Sequence, residues 1–332
     1  MGFAGGGSDV SPYSDIYGGF ILNATINLFA YCTIEETHDD TVSLRATDLG
    51  VEIAYPLSKT LPIDGNLDLH KGVFNRVIKD FGVEPRACRI TTYSDAPAGS
   101  GLGSSSTMVV CILKAFVEWY NLPMGDYEIA RMAYEIERID LSLSGGKQDQ
   151  YAAAFGGFNY MEFLPEGTVI VNPLRIKRWV VDELESSIVL YYTGASRSSA
   201  AIIEEQQKNT SSGNESAISA MHRIKHSAID MKRVLLEGNI KEFASILGQA
   251  WEDKKKMATA ISNSMIQEAF DVAFQAGAIA GKVSGAGGGG FIIFMMDPTK
   301  KRCVIDALNK MPGQIVGFQF SDGGTHGWKI YS

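Results

Sequence analysis

The stretch Pro97-Ala-Gly-Ser-Gly-Leu-Gly-Ser-Ser-Ser-Thr107 decides the fold, because it joins a glycine-rich loop to the start of a predicted helix. Its glycines, Gly99, Gly101 and Gly103, let the backbone approach an anion and adopt positive φ angles. The serines that follow supply hydroxyl groups beside the N–H groups left unpaired at a helix N terminus. This combination is typical of a phosphate-binding loop.

The segments on either side agree with this interpretation. Residues 89–95 alternate in polarity as a strand does, and the apolar residues between Met108 and Tyr120 recur at helical spacing. A Walker loop needs a lysine after its glycines, and none occurs before Lys114, while a dinucleotide fingerprint needs glycine where Ser104 stands. The loop therefore predicts ATP binding by a third route, with an ordinary glycine-serine turn as the alternative.

Length and composition limit the class of protein. The 332 residues are enough for two domains or one large α/β unit. The net charge is −8 and no block of basic residues stands out, which excludes the electrostatic pattern of a nucleic-acid-binding protein. The four cysteines are widely spaced, as in reduced cytosolic proteins. Because no signal-like or membrane-spanning run occurs, we expect a cytoplasmic protein without a membrane partner.

Strands and helices are predicted along the whole chain. Residues 20–34 hold one bent strand or two, and helices are predicted over 72–81 and 126–139. After about Leu164 a second half begins, with helices over 216–236, 240–257 and 266–280 and a strand over 291–296. The polar segment 208–215 is predicted to be a mobile loop, and Lys254-Lys-Lys256 to be ordinary helix surface.

Two further glycine-rich segments lie near the ends of the chain. They are Phe3-Ala-Gly-Gly-Gly-Ser-Asp9 and Lys282-Val-Ser-Gly-Ala-Gly-Gly-Gly-Gly290. The second contains Gly-x-Gly-x-x-Gly, but a predicted helix precedes it and an apolar strand follows, the reverse of the order in a dinucleotide site. A close backbone approach to a ligand or to another loop suits it better. If the three segments share one site, the site lies in a cleft between domains.

Two carboxylates lie between the glycine segments. Glu137 falls at the end of one predicted helix and Asp149 at the start of the next. A phosphoryl-transfer site needs an oxygen ligand for Mg²⁺ and a group that orients or deprotonates the attacking hydroxyl. Glu137 suits the first role and Asp149 the second. The alternative is a surface charge paired with a neighbouring arginine, and a helix cap.

Together these segments resemble the three signature motifs of the GHMP kinases, over nearly the whole chain. The resemblance implies an α+β, two-domain fold, with an N-terminal ATP-binding domain over residues 1–165, a C-terminal domain over 166–332 and the active site in the interdomain cleft. Residues 17–27 and 144–151 look like the branch of sugar 1-kinases that contains heptose 7-phosphate kinases and fucokinases.

The resemblance implies a role for each motif residue. Asp149 matches the catalytic aspartate and Glu137 the Mg²⁺-binding glutamate, while Ser105, with Ser104 as the alternative, matches the serine on Mg²⁺ and the phosphates. The ATP-binding residues are Pro97, Gly99, Gly101, Leu102, Gly103, Ser104, Ser105 and Ser106. The substrate-binding residues are Gly6, Gly7, Ser8, Asp9, Gly285 and Gly287. We add Arg197 as a ligand for a substrate phosphate, since a guanidinium holds phosphate through two hydrogen bonds; a surface ion pair is the alternative.

One feature departs from the family pattern. Relatives begin with a short strand that carries a basic residue before the first glycine segment, and that strand is predicted to be absent here. Lys147, two residues before Asp149, is the nearest candidate in the sequence for a compensating catalytic cation.

The resemblance implies transfer of the ATP γ-phosphoryl group, with Mg²⁺, to the anomeric C1 hydroxyl of D-glycero-D-manno-heptose 7-phosphate. The product is the 1,7-bisphosphate, used in the synthesis of nucleotide-activated heptose. The alternatives are a kinase for another sugar, such as fucose or galactose, and a sensor that binds ATP and sugar without turnover. The oligomeric state stays open, with a homodimer as one option.

Overall fold

The computed structural model describes residues 1–194 and 199–330. The strands are β1 (Gly2–Ala4), β2 (Gly19–Ala24), β3 (Ala30–Glu36), β4 (Thr41–Ala46), β5 (Val51–Pro56), β6 (Cys88–Ser94), β7 (Phe158–Phe163), β8 (Val169–Pro173), β9 (Ile188–Tyr192), β10 (Ala278–Val283), β11 (Phe291–Met296) and β12 (Gln314–Val316). The helices are α1 (Tyr13–Tyr17), α2 (Asp68–Phe81), α3 (Ser104–Tyr120), α4 (Asp126–Glu135), α5 (Gln148–Phe155), α6 (Arg178–Ser187), α7 (Ser199–Ser211), α8 (Glu215–Glu237), α9 (Ile240–Lys254), α10 (Ser264–Gln275) and α11 (Lys301–Leu308).

The first sheet supports the phosphate-binding loop. It has the order β3-β6-β4-β5, in which β4 and β6 run parallel and the other pairs run antiparallel. Its alternating apolar residues, such as Leu44 and Ile90, share a buried core with Val109 and Leu113 of α3. Because α3 is packed on β3 along its apolar face, the loop that precedes the helix is held at one end of the sheet.

Two further sheets build the rest of the molecule. The antiparallel sheet β1-β2-β7-β8 packs against α5 and α8, and the antiparallel sheet β10-β11-β9-β12 packs against α9, α10 and α11. β8 lies after the predicted boundary at residues 165 and 166 but pairs with β7, which precedes it. The division into residues 1–165 and 166–332 stays a prediction. No helix of the described residues is long and apolar enough to cross a membrane.

The observed elements confirm several predicted ones and correct others. Residues 20–34 hold two strands, and the helices predicted over 72–81, 216–236 and 240–257 are present within a few residues. The helix predicted to reach residue 280 ends at Gln275, and β10 follows it. The third glycine segment therefore joins two antiparallel strands, β10 and β11. These strands can pack closely because Gly281 of β10 has no side chain, and a Cβ there would lie 2.8 Å from the Phe294 ring.

Two other expectations are wrong. A short strand is present at the start of the first glycine segment, since Gly2 and Ala4 pair with Asn23 and Leu22 of β2, although it carries no basic residue. The predicted loop over 208–215 is mostly helical: α7 continues through Ser211 and α8 begins at Glu215, where the Asn214 side chain accepts a hydrogen bond from the N–H of Ala217.

Candidate active site

The phosphate-binding loop ends in a helix N terminus that no side chain of the described residues caps. Gly103 precedes α3 in a left-handed conformation, with φ of +75°, and Gly101 has φ of +82°. The N–H groups of the first helical turn have no intrahelical partners, and the helix dipole adds positive potential there. In the described part of the chain, the buried Ser100 Oγ also has no hydrogen-bond partner. The loop is thus built to receive an anion such as a nucleotide phosphate.

The other predicted residues of this loop have structural partners. The carbonyl oxygen of Pro97 accepts hydrogen bonds from the N–H of Ser100 (3.2 Å) and from Ser104 Oγ (3.3 Å), which closes the turn around Gly99. Leu102 packs against the buried hydrophobic cluster that contains Phe3 of β1, Leu22 of β2 and Leu247 of α9. These contacts fix the shape of the loop, whereas the role of each residue in ATP binding stays a prediction.

The third glycine segment packs directly on the phosphate-binding loop. Ser284 Oγ donates to the carbonyl oxygen of Gly101 (2.9 Å), and the N–H of Phe291 donates to that of Ser100 (2.9 Å). A Cβ at Gly285 would lie 2.8 Å from Gly101 Cα, so only glycine allows this approach. The expected close approach of the two segments is confirmed.

Gly287 faces a different neighbour. A Cβ there would lie 2.9 Å from the carbonyl oxygen of Ile261. Gly287 and Gly285 are therefore placed against the protein's own backbone, and their contacts with substrate stay predictions.

Glu137 lies in a π-helical turn, Ile136–Asp140, that continues α4 towards the phosphate-binding loop. The side chain is buried, with Oε1 accepting from Ser105 Oγ (3.0 Å) and Oε2 accepting from Gln150 Nε2 (2.5 Å). The Arg138 guanidinium lies 3.6 Å from Oε1. The carboxylate and the Ser105 hydroxyl thus converge beside the loop, and Mg²⁺ needs few protein oxygens, because water and phosphate complete its octahedron. These residues fit the ion.

Asp149 lies in the first turn of α5, opposite the phosphate-binding loop. A Cβ at Gly103 would lie 2.8 Å from Asp149 Cγ, so the absence of a side chain at Gly103 brings the loop and this carboxylate together. Burial, followed by the charge of Asp9, raises the pKa of Asp149 to about 6, although the terminal amine and Arg138 oppose the rise. The group is then ionised at neutral pH and close to the pKa that suits a general base.

Asp9 joins the first glycine segment to α5. Its buried carboxylate accepts hydrogen bonds from the N–H groups of Lys147 (2.8 Å) and Gln148 (2.9 Å) through Oδ2, and from Gln148 Nε2 (3.3 Å) through Oδ1. A Cβ at Gly146 would lie 2.0 Å from Oδ2. Asp9 therefore caps α5 from outside the helix and fixes the helix that carries Asp149. A direct contact between Asp9 and sugar stays a prediction.

The neighbours of Asp9 in the first segment are held by the protein itself. Ser8 Oγ donates to the carbonyl oxygen of Phe20 (3.1 Å) and accepts from its N–H (3.2 Å). A Cβ at Gly7 would lie 3.1 Å from the Met221 side chain, and one at Gly6 would lie 4.0 Å from the Gln148 amide nitrogen. The segment is thus wedged between α5 and α8, while its sugar contacts stay predictions.

Lys147 is placed differently from the predicted compensating cation. Its ammonium lies 3.8 Å from Asp15 Oδ1 and 5.7 Å from the centroid of the Tyr134 ring. Among the described residues, it makes no hydrogen bond to Asp149. The structure thus ties Lys147 to the site through its backbone N–H, and Arg197 lies outside the described residues.

The prediction that Lys254 belongs to ordinary helix surface is wrong. Its side chain is buried, and its ammonium donates to the carbonyl oxygen of Gly285. Lys254 follows Leu247 and Trp251 by seven and three residues, so it lies on the apolar face of α9. That spacing was the available signal. Lys256, by contrast, is exposed and pairs with Asp253 (3.0 Å).

Two other buried residues near the site were also missed. Gln150 bridges Glu137 and Ser106 Oγ (3.0 Å), and Lys282 donates to the carbonyl oxygens of Gly2 (2.8 Å) and Phe3 (3.0 Å). The period of α5 gave no reason to single out Gln150, because glutamine is common on helix surfaces. Lys282 begins the third glycine segment, but its partners Gly2 and Phe3 lie 280 and 279 residues earlier in the chain.

Comparisons with known proteins agree with this geometry. The sequence matches the GHMP kinases N terminal domain over residues 68–157 and the GHMP kinases C terminal domain over residues 231–313. It is 47% identical over 330 residues to the D-glycero-alpha-D-manno-heptose 7-phosphate kinase of Campylobacter jejuni, covering 99% of this chain and 97% of that one. It is 27% identical to the L-fucokinase/L-fucose-1-P guanylyltransferase of Bacteroides fragilis, covering 87% of this chain and 33% of that one.

A solved structure is similar over the whole chain. It is a D-glycero-D-manno-heptose 1-phosphate kinase from Bacteroides thetaiotaomicron, with 60% sequence identity and a TM-score of 0.86, covering 100% of this chain and 97% of that one. The chain therefore belongs to the GHMP kinases and is a sugar kinase of that family. The predicted family and the two-domain α+β fold are confirmed.

Proposed function

We propose that this chain transfers the γ-phosphoryl group of ATP to the anomeric hydroxyl of D-glycero-D-manno-heptose 7-phosphate, giving the 1,7-bisphosphate. The observation that carries the proposal is the meeting of three groups at one end of α3: the uncapped helix N terminus, the Ser105–Glu137 pair and Asp149. Full-length similarity to a heptose 7-phosphate kinase supports the choice of sugar.

Each group has a part in the reaction. The N–H groups at the start of α3 would bind the phosphates of ATP, and Asp149 would accept the proton of the attacking hydroxyl. Glu137 and Ser105 would hold Mg²⁺, whose charge offsets that of the phosphate oxygens when the ion is bound. Asp9 would keep α5, and therefore Asp149, in position through its two backbone hydrogen bonds. Arg197 is our candidate for the 7-phosphate.

A second acceptor is favoured by one comparison. The similar structure from Bacteroides thetaiotaomicron is named for heptose 1-phosphate, the sugar phosphorylated at the opposite end. A kinase for fucose or galactose and a sensor without turnover are the remaining alternatives. The sensor is disfavoured because binding alone does not require Asp149, Glu137 and Ser105 together.

ADP release distinguishes these functions. The wild-type enzyme is assayed with ATP and Mg²⁺ on heptose 7-phosphate, heptose 1-phosphate, unphosphorylated heptose, fucose and galactose, with Asp149→Asn as the blank. We expect turnover on heptose 7-phosphate well above the rate on every other acceptor. Preference for another sugar would leave the family assignment and overturn our substrate, and ATP binding without turnover on any acceptor would favour the sensor.

A further inference from the structure

Lys254 brings a positive charge into the interior at the C-terminal end of α9. Only 6% of the residue is exposed, in a helix whose buried side otherwise consists of residues such as Leu247 and Trp251. A buried ammonium is costly unless anions or hydrogen-bond acceptors surround it. The buried ammonium therefore needs hydrogen-bond acceptors or an anion beside it.

The described residues satisfy only part of the hydrogen-bonding capacity of the Lys254 ammonium. The ammonium has three N–H donors, and among residues 1–194 and 199–330 it forms one hydrogen bond, to the carbonyl oxygen of Gly285. No carboxylate of these residues lies within 4.0 Å to form an ion pair. Two donors are therefore left without an acceptor among the described residues.

Charged side chains of the candidate active site act on the Lys254 ammonium. Asp9 and Asp149 stabilise its charged form, whereas burial, the larger effect, lowers the pKa of Lys254 to about 8. Lys282 is a like-charged neighbour whose own pKa is lowered by burial and by Lys254. The ammonium thus remains mainly protonated at neutral pH, close enough to the catalytic carboxylate for their charges to interact.

The hydrogen-bond acceptor of Lys254, the Gly285 carbonyl oxygen, belongs to a segment that packs on the phosphate-binding loop. Gly285 packs on Gly101, and the adjacent Ser284 hydroxyl donates to the carbonyl oxygen of Gly101 in the phosphate-binding loop. The ammonium therefore lies where the third glycine segment packs on that loop, and it is near enough to Asp149 and Asp9 for their charges to stabilise it. Lysine is suited to such a position, because its ammonium acts as a compact charge with donors that can rotate.

We propose that the Lys254 ammonium binds the phosphoryl group during its transfer, with its two free donors on phosphoryl oxygens. This inference rests on the proposed function and adds a catalytic cation to it. Lys254 takes the part for which Lys147 was predicted, from a different domain and about a hundred residues further along the chain.

Lys254→Met tests the inference, and Lys256→Met is the matched control. Both changes keep an unbranched side chain on or beside α9, but Lys256 lies on the exposed side, 3.0 Å from Asp253. For Lys254→Met we expect turnover on the best sugar acceptor to fall by about 10²–10³-fold, the range found when one donor to a developing charge is removed. Lys254→Arg should recover part of the activity, and Lys256→Met should keep it.

Two binding measurements separate catalysis from structure. Calorimetric affinity for ADP should be unchanged in Lys254→Met, while affinity for a non-hydrolysable ATP analogue, with its third phosphate, should fall about tenfold, the loss of a single charged contact. The melting temperature should not fall, because the variant buries no charge. Equal losses of affinity for both nucleotides, together with a lower melting temperature, would show a structural role and overturn the inference.

The outcomes also separate this inference from the proposed function. If the wild type phosphorylates heptose 7-phosphate and Lys254→Met does so at the same rate, the proposed function stands and the role of Lys254 is overturned. If the wild type phosphorylates no sugar, the proposed function fails, and the ratio of the affinities for ATP analogue and ADP decides the role of Lys254. A ratio unchanged by Lys254→Met would contradict it, and a lower ratio would support it.

Discussion

Replacing Asp149 by asparagine should remove activity and raise stability at the same time. The pKa of this carboxyl is about 6 in the folded protein, compared with about 3.9 in an unfolded chain. The folded state therefore binds the proton more tightly, and the free energy of unfolding falls as the pH rises from about 4 to about 6, with the full loss present above that range. The full difference corresponds to about 3 kcal/mol, which partial exposure of the residue reduces to roughly 1–2 kcal/mol.

Urea denaturation at two pH values measures this contribution. At pH 8, Asp149→Asn should raise the free energy of unfolding by about 1–2 kcal/mol, and at pH 4, where the folded carboxyl is already protonated, the gain should nearly disappear. Turnover should fall by about 10²–10⁴-fold at pH 8, as expected for loss of a general base. Asp48→Asn, at an exposed turn, is the control, and should change stability by no more than about 0.5 kcal/mol at either pH.

Either of two results would refute the reasoning. A variant that is less stable than the wild type at pH 8, or whose gain in the free energy of unfolding is the same at both pH values, would show that the ionised Asp149 carboxylate does not destabilise the folded protein. A variant with full turnover would remove its role as the base.

Three further variants test the geometry around Asp149. Gly146→Ala places a Cβ 2.0 Å from Asp9 Oδ2, and displacing that oxygen from its two N–H donors should cost about 2–4 kcal/mol in urea denaturation, whereas Gly317→Ala, in open space, should cost less than about 1 kcal/mol. Unchanged stability in Gly146→Ala would contradict the capping role of Asp9. Glu137→Gln should raise the Mg²⁺ concentration needed for half-maximal rate, and an unchanged Mg²⁺ titration would contradict its role as a ligand. Gly103→Ala, at φ of +75° and 2.8 Å from Asp149 Cγ, should weaken ADP binding in calorimetry, and wild-type affinity would contradict the close approach.

The features that the sequence predicted well are encoded over short distances. The phosphate-binding loop combines left-handed glycines with an uncapped helix start, and both follow from the eleven consecutive residues 97–107. Glu137 and Asp149 are predicted from the chemistry of phosphoryl transfer, and both lie beside the loop, while their roles stay predictions. The structure adds that Ser105 and Glu137 meet, although they are 32 residues apart in the chain.

The features that the sequence did not predict depend on distant contacts. Asp9 caps a helix 139 residues further along, which no local pattern indicates. β10 was mistaken for the end of a helix, because alanine favours helices and the pairing with β11 that overrides this preference is tertiary. Lys254 was predicted to be helix surface because it belongs to a short run of lysines, although its spacing from Trp251 places it on the buried face of α9.

The position of the new phosphate in the product tests the proposed function most directly. After reaction of heptose 7-phosphate with ATP and Mg²⁺, two-dimensional phosphorus–proton NMR identifies the carbon that carries each phosphate. We predict a second phosphorus signal coupled to the anomeric proton H1, absent with Asp149→Asn. Coupling of the new phosphate to any other proton, or release of inorganic phosphate without a bisphosphate, would contradict an anomeric sugar kinase.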